Sequence, residues 1–316
     1  MQADDNDSGH ALSWQRVMLA GSGLAALRAE QACAELGLDW RNAANGEDIV
    51  ERAVRLGCKA LHPGESSVEE QWRLARACQQ AGLAFIGPRE SLIAAMCDEA
   101  ASRQLMREAG LPLGDTRHRT PCVHLPVLAD TRGQALALIE HEVLDDTFAV
   151  APSERLTPEQ RAYLGQLAIQ GARAVGLVGL ATLSFTLVGN RPGFVAMWPG
   201  LTGFDGLAEV LTGLDLSVEL MRLVAGERLK RPRVGPMGHG PGRPGQARWR
   251  RLAPGVGQLG GGPGVRLDRA VLAPEAETRL LVWGRDGAEA RRRERRALAE
   301  WGGDAGLSTD GDDPRG

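Results

Sequence analysis

The chain has 316 residues, an apolar fraction of 43% and a net charge of -3. That length supports two or three small domains with a sizeable core, and that charge argues against nucleic acid or an anionic membrane surface as an obligatory partner. No stretch approaches the roughly 18 uninterrupted apolar residues of a spanning helix, and the acidic opening MQADDNDSGH does not read as a signal peptide.

Two residue counts carry chemistry. The five cysteines (Cys33, Cys58, Cys78, Cys97, Cys122) form no CxxC pair. Most sit in apolar patterns, as reduced thiols of a cytoplasmic protein do. Of 37 basic residues only Lys59 and Lys230 are lysines. Arginine replaces lysine readily on a surface, but not where a compact ammonium must contact phosphates.

In chain order, residues 1–15 read as disordered. Arg16–Ala20 is a short strand. Gly21-Ser22-Gly23 and a helix over Leu24–Leu36 follow, ending at Gly37. A glycine turn before a helix can hold phosphate on helix N–H groups, but GSGLAA lacks the third glycine of that fingerprint. A helix over Gly46–Leu56 leads into Ala60–Pro88, which reads strand, turn, helix, strand. His62-Pro63-Gly64 stops the first strand. Ser66 or Ser67 caps the helix, Glu69 and Arg73 have ion-pair spacing, and Gly82 ends it. Ser91–Ala109 is one or two helices. Val123–Asp130 and Gln134–Ile139 are strands, and Thr157-Pro158-Glu159-Gln160 opens another helix. Ala181–Val188 alternates and returns through Gly189-Asn190 as a hairpin with Gly193–Met197. Asp215 caps the helix that ends at Gly226. Residues 231–262 are rich in Gly, Pro and Arg and read as a linker. The segments Gly262–Asp268 and Leu280–Gly284 precede an Arg-rich helix reaching Trp301. Its run Arg291–Arg296 reads as a solvated face. His118, His124 and His141 lack metal-ligand spacing and read as surface or strand histidines.

Residues 62–64 (HPG), the segment ARACQQAGLAFIGP ending at Pro88, and Ala95-Met96-Cys97-Asp98 together resemble the N-terminal domain of biotin carboxylases. These are ATP-grasp enzymes that carboxylate biotin in acyl-CoA and pyruvate carboxylases. Glu209-Val210-Leu211-Thr212-Gly213-Leu214-Asp215-Leu216 is similar to a second block of that family and fixes the register. The fold class implied is α/β. A Rossmann-like N-terminal domain over 16–115 precedes a truncated ATP-grasp α+β domain over 116–230. After the linker come a remnant of the family's C-terminal domain over 263–302 and a disordered tail over 303–316. Arg28 and Glu35 match family positions near the dimer contact.

The resemblance also identifies losses. The nucleotide-contacting lysine of the family is Glu99 here. The lid is absent, because Gly114–Pro121 joins directly to the following strand. The two metal-holding glutamates correspond to Ser184 and Ala196. The family's Asn, Arg and Gln correspond to Trp198, Gly200 and Thr202, and the base for bicarbonate to Phe204. Gly238-His239 survive, but the catalytic Glu and Arg beyond them do not. No biotin-accepting lysine is present. The resemblance thus implies no catalytic, cofactor-binding or metal-binding residue, and none of the family's ATP, Mg²⁺ or carrier-borne biotin as cofactor. The expectation is an inactive homologue in the cytoplasm, paired with carboxylase subunits or with itself, without membrane or nucleic acid. Carboxylation of biotin through a rearranged site and a decaying relic are the alternatives.

Overall fold

The computed structural model describes residues 12, 14–21, 23–43, 48–115, 122–188, 191–230, 245–252, 259–269 and 278–302. The expected disorder before residue 12 and after 302, His118, the Gly189-Asn190 turn and Gly238-His239 lie outside the described residues.

The first layer is built from β1 (Arg16–Leu19), α1 (Leu24–Glu35), β2 (Asp39–Asn42), α2 (Ile49–Arg55), β3 (Ala60–His62), α3 (Val68–Ala81) and β4 (Ala84–Phe85). Its four strands are all parallel, in the order β2-β1-β3-β4, as buried strands joined by helical crossovers require. Small residues (Ala26, Ala29, Ala32, Cys33) make the buried side of α1 and let it lie close to the sheet. Ser67 accepts from Glu70 N–H, and the Glu70 carboxylate accepts from Ser67 N–H, a reciprocal cap on α3. Glu69 and Arg73, spaced for an ion pair, are both exposed and do not pair. Ordering two long side chains in water gains little.

Helices α4 (Glu90–Met96) and α5 (Glu99–Glu108) lead across to β5 (Cys122–Ala129), β6 (Ala135–Ala137), β7 (His141–Asp145), β8 (Phe148–Ala151), α6 (Pro158–Ala174), β9 (Gly179–Val188), β10 (Arg191–Pro199), α7 (Asp205–Thr212) and α8 (Leu216–Val224). Thr157 and Gln160 cap α6 reciprocally, and Leu164, Leu167, Ala168, Gly171 and Ala172 bury one helical stripe. That stripe packs on Val123, Leu125, Val127, Leu183 and Phe185 of β5 and β9. The hairpin of β9 and β10 forms as its alternation predicts, with a register shift between Phe194 and Ala196.

The chain ends with β11 (Gln246–Leu252), β12 (Val265–Arg269), β13 (Thr278–Gly284) and α9 (Gly287–Gly302). The linker expected over 231–262 therefore contains an inner strand. β11 pairs with β8 on one side and β13 on the other, and its Trp249 is only 1% exposed. Its arginines misled the composition reading. Arg248 and Arg250 both lie over the Phe148 ring and both donate to Glu294 of α9, a carboxylate with 4% exposure. The block expected as a C-terminal remnant continues the same antiparallel sheet. The full order is β10-β9-β5-β7-β8-β11-β13-β12, with β6 paired to β5.

The two layers meet in apolar contact, and the parallel layer is closed by a tight turn. A shared core joins Val17, Leu19 and Ala29 to Leu128, Leu180 and Met221. The turn after β3 closes on β1: Ala20 N–H donates to the His62 carbonyl at 2.8 Å, and Gly64 N–H donates to His62 Nδ1 at 3.0 Å. Gly64 has φ +67°, and a Cβ there would lie 1.9 Å from the Ala20 carbonyl oxygen. Gly64→Ala is expected to lower unfolding free energy by about 3 kcal/mol, measured as a shift of the urea midpoint. Gly82→Ala, with a similar φ of +69° and no atom within 4 Å, is expected to cost about 1 kcal/mol.

Candidate functional site

A cleft of about 900 Å³ opens between the starts of α3 and α5 and the inner face of β5, β7, β9 and β10. Its walls collect most of the positions singled out by the sequence. Ala196, Trp198, Thr202, Phe204 and Glu99 all line it. Ser184 is paired with Ala196 directly across the β9–β10 ladder, so the positions of the two expected metal-holding carboxylates face one another. Ser184 itself lies behind Trp198, with its hydroxyl 3.1 Å from the indole Nε1. Gly200 stands at the rim, where a Cβ would sit 3.7 Å from Gln71 Oε1.

The chemistry of these walls follows from the substitutions. Among the described residues, the only charged side chains on them are Glu69 and Glu99. Among the same residues no three His, Cys, Asp or Glu side chains are grouped to hold a metal ion. Mg²⁺ needs several hard oxygen ligands around a phosphate, and the donors here are a hydroxyl, an indole, a methyl group and a phenyl ring. The residues present do not fit Mg²⁺-ATP. The N-terminus of α3 is satisfied by its own serine and glutamate, and that of α5 by Asp98, which accepts from Ala100 and Ala101 N–H. At α1 the glycine turn faces a carboxylate, because a Cβ on Gly23 would lie 3.3 Å from Glu65 Oε2. None of the three termini is left as an anion seat.

An aromatic stack forms the floor. His124 and His141 stack at 5.3 Å, His141 lies 5.6 Å from Phe204, and Phe204 meets Trp249 at 4.7 Å. His124 and His141 are strand residues of β5 and β7, and His141 is buried, not at the surface. The Ser184 hydroxyl accepts from the Trp198 indole at 3.1 Å and shares a second hydrogen bond with His124 Nδ1 at 2.8 Å. Burial lowers the His124 pKa to about 4, and burial with the neighbouring His124 lowers that of His141 further from its ordinary value. Both imidazoles are neutral at physiological pH. Burial, with the Glu69 charge nearby, raises the Cys97 thiol at the cleft.

A second, smaller pocket of about 240 Å³ lies beside the first, under α1, α7, β12 and β13. Sequence reasoning missed its ion pairs, which join residues 181 and 57 positions apart. Arg28 reaches Glu209 at 3.0 Å and Asp215 at 2.6 Å, and Arg266 reaches Glu209 at 2.7 Å and Asp268 at 2.8 Å. Arg279 reaches Glu65 at 2.9 Å. Burial and the neighbouring Glu209 carboxylate push the Asp205 carboxyl up to about 7. Arg28 is therefore engaged within the chain, whereas Glu35 is exposed. Asp215 performs the capping predicted for it, accepting from Val218 N–H at 3.0 Å.

Comparison with known proteins places this geometry. The sequence profile for the biotin carboxylase N-terminal domain matches residues 39–93, and that for the carbamoyl-phosphate synthase L chain ATP-binding domain matches residues 117–232. The chain is 26% identical to the 2-oxoglutarate carboxylase small subunit of Hydrogenobacter thermophilus, over 59% of this chain and 55% of that one. It is 25% identical to a pyruvate carboxylase subunit of Methanothermobacter thermautotrophicus, over 80% and 70% of the two chains. It is 25% identical to a biotin carboxylase of Nostoc, over 92% of each. In structure it matches the biotin carboxylase domain of a thermophilic 2-oxoglutarate carboxylase bound to bicarbonate. The TM-score is 0.79 at 22% identity, covering 91% of this chain and 90% of that one, a likeness of fold.

Glu209→Gln leaves Arg28 and Arg266 without their shared charge. It is expected to cost about 3 kcal/mol in a denaturant titration, and Arg28→Gln less, because Arg266 still neutralises Glu209. The two buried imidazoles have depressed folded pKa values, so the stability they confer is complete above their ordinary value of 6.5 and is lost as pH falls toward about 4. His124→Gln is expected to flatten the fall in melting temperature across that window. An unchanged slope would refute the burial account.

Proposed function

Because the chain belongs to the biotin carboxylase family, we propose that it is a catalytically inactive member that acts as a non-catalytic subunit or partner of a biotin-dependent carboxylase. One observation carries this reading: among the described residues the large cleft is lined by the carboxylates Glu69 and Glu99 and by no cation, and Glu99 stands where the resemblance puts the family's nucleotide-contacting lysine. Phosphoryl transfer depends on positioned cations around the phosphates. Here Glu99 and Glu69 would repel them. ATP, Mg²⁺ and biotin are accordingly proposed to have no place in its action.

The partner half of the proposal draws on the relatives, two of which are carboxylase subunits by name. This chain spans 55% of the length of the first. Pairing through α1 would use Glu35, since Arg28 is held by Glu209 and Asp215. Among the described residues no helix is long and apolar enough to cross a membrane. Free thiols at all five cysteines fit a cytoplasmic location. The alternative of a rearranged active site would need free cations elsewhere, and Arg28 and Arg266 of the small pocket are already held by carboxylates.

Calorimetry with Mg-ATP, beside a thermal melt, tests this reading. The expected result is no heat and no change in melting temperature. A ligand present at a hundred times its dissociation constant would add about 2.7 kcal/mol of stability, so micromolar binding would be plain in the melt and would overturn the proposal. Co-purification with a biotin-dependent carboxylase subunit is expected. Its absence would leave an inactive protein and remove the partner role.

A further inference from the structure

The cleft is not collapsed by the loss of its ionic groups, and its remaining polar atoms are arranged for a different guest. Thr182 Oγ1 and Gln71 Oε1 both belong to residues lining the cleft. The first residue is 1% exposed and the second 6%, and neither atom has a hydrogen-bond partner among the described residues. A buried unsatisfied oxygen costs about 1–3 kcal/mol, and a ligand N–H would remove that cost. Trp198, 46% exposed in the cleft, is held by Ser184, whose hydroxyl is in turn fixed by His124. That chain keeps the indole in one orientation. With Phe204 and His141 it makes an aromatic wall, and Glu69 and Glu99 supply negative charge from the opposite helices.

Resting on the reading of an inactive cleft, we propose that this cleft binds a small organic ammonium ion. The apolar body lies on Trp198, His141 and Phe204, and the N–H groups meet the Glu69 carboxylate and, once their side chains turn toward the cleft, the buried oxygens of Gln71 and Thr182. Three features favour this guest over an anion. Aromatic faces attract cations and not anions. Among the described residues no cation lines the walls, and the imidazoles are neutral. The N-termini of α3 and α5 at the cleft are capped by side chains of the chain itself. A Ser184–His124 nucleophilic pair is a weaker reading, because Ser184 does not line the cleft and stands behind the indole that it orients.

Three probes of one shape separate the charge classes: 1-naphthylmethylamine, 1-naphthalenemethanol and 1-naphthoate, each titrated at neutral pH and followed by melting temperature and tryptophan fluorescence. The amine is expected to bind about tenfold tighter than the alcohol, and the carboxylate not to bind. Trp198→Phe is expected to abolish the fluorescence response. Glu69→Gln, at an exposed position that folding does not depend on, is expected to weaken the amine about threefold and leave the alcohol unchanged. Thr182→Val, checked by its own melt, is expected to weaken both. Equal affinity for amine and alcohol, binding of the carboxylate, or no binding of the amine would each overturn the ammonium assignment. Mg-ATP is titrated in parallel. If it binds, the inactive reading falls as well; if neither it nor the amine binds, only the ammonium assignment falls.

Discussion

The carboxylate of Glu209 holds together parts of the chain that share no backbone hydrogen-bond ladder. It stands on α7 and accepts from Arg28 of α1, from Arg266 of β12, and from the N–H of Leu216 at the start of α8. The parallel layer, the helix pair behind the antiparallel sheet and the far edge of that sheet thus meet at one group with 7% exposure. A buried charge is costly unless it is paired and hydrogen-bonded. This one is both, with its charge shared between two arginines from different parts of the chain.

That scaffold places the residues of the large cleft without depending on their charge. The β9–β10 ladder still brings residues 184 and 196 opposite one another, and the turn after β10 still lays residues 198, 202 and 204 along one wall. Backbone position is fixed by strand pairing, which asks little of the side chains on the cleft face. The opposite face is different. Leu183, Phe185, Phe194 and Met197 are all buried against α5 and α6, and a change there would disturb the sheet. The two faces are therefore under different constraints: one must stay apolar, whereas strand pairing alone fixes the backbone of the other.

Much of this was legible from the residues alone. Periodicity and capping chemistry announced α3, α6 and α8, since Ser67, Thr157 and Asp215 act locally on N–H groups two or three positions away. The hairpin was legible for the same reason. The resemblance singled out Glu99, Ala196, Trp198, Thr202 and Phe204, which all line the cleft, and also Ser184 and Gly200, which do not. What stayed hidden was long-range. No local pattern says that Arg28 will find Glu209, or that Arg248 and Arg250 will be drawn inward by Phe148 and Glu294. Those arginines made β11 look like a linker, because composition counts a charge without knowing whether a buried partner awaits it. The polar face of β9 was also under-read: Thr182, Ser184 and Thr186 alternate as a solvated face would, yet each is nearly inaccessible.

The join where the family's lid is missing has its own geometry. Phe194 N–H donates to the Pro112 carbonyl at 2.7 Å, and Gly114 N–H returns to the Phe194 carbonyl at 2.8 Å. Gly114 and Gly193 approach so closely that a Cβ on either would overlap the other's backbone, at 2.6 Å. The segment after α5 is thereby stitched to β10 before the chain turns toward β5, so β10 does not present an open edge there to other chains. Seven residues, 115–121, separate Gly114 of that seam from β5. Lengthening a loop from this size to some tens of residues costs about 2 kcal/mol in closure entropy. The seam thus works as a port: a whole module could be docked or excised between its two fixed sides while the sheet keeps its pairing.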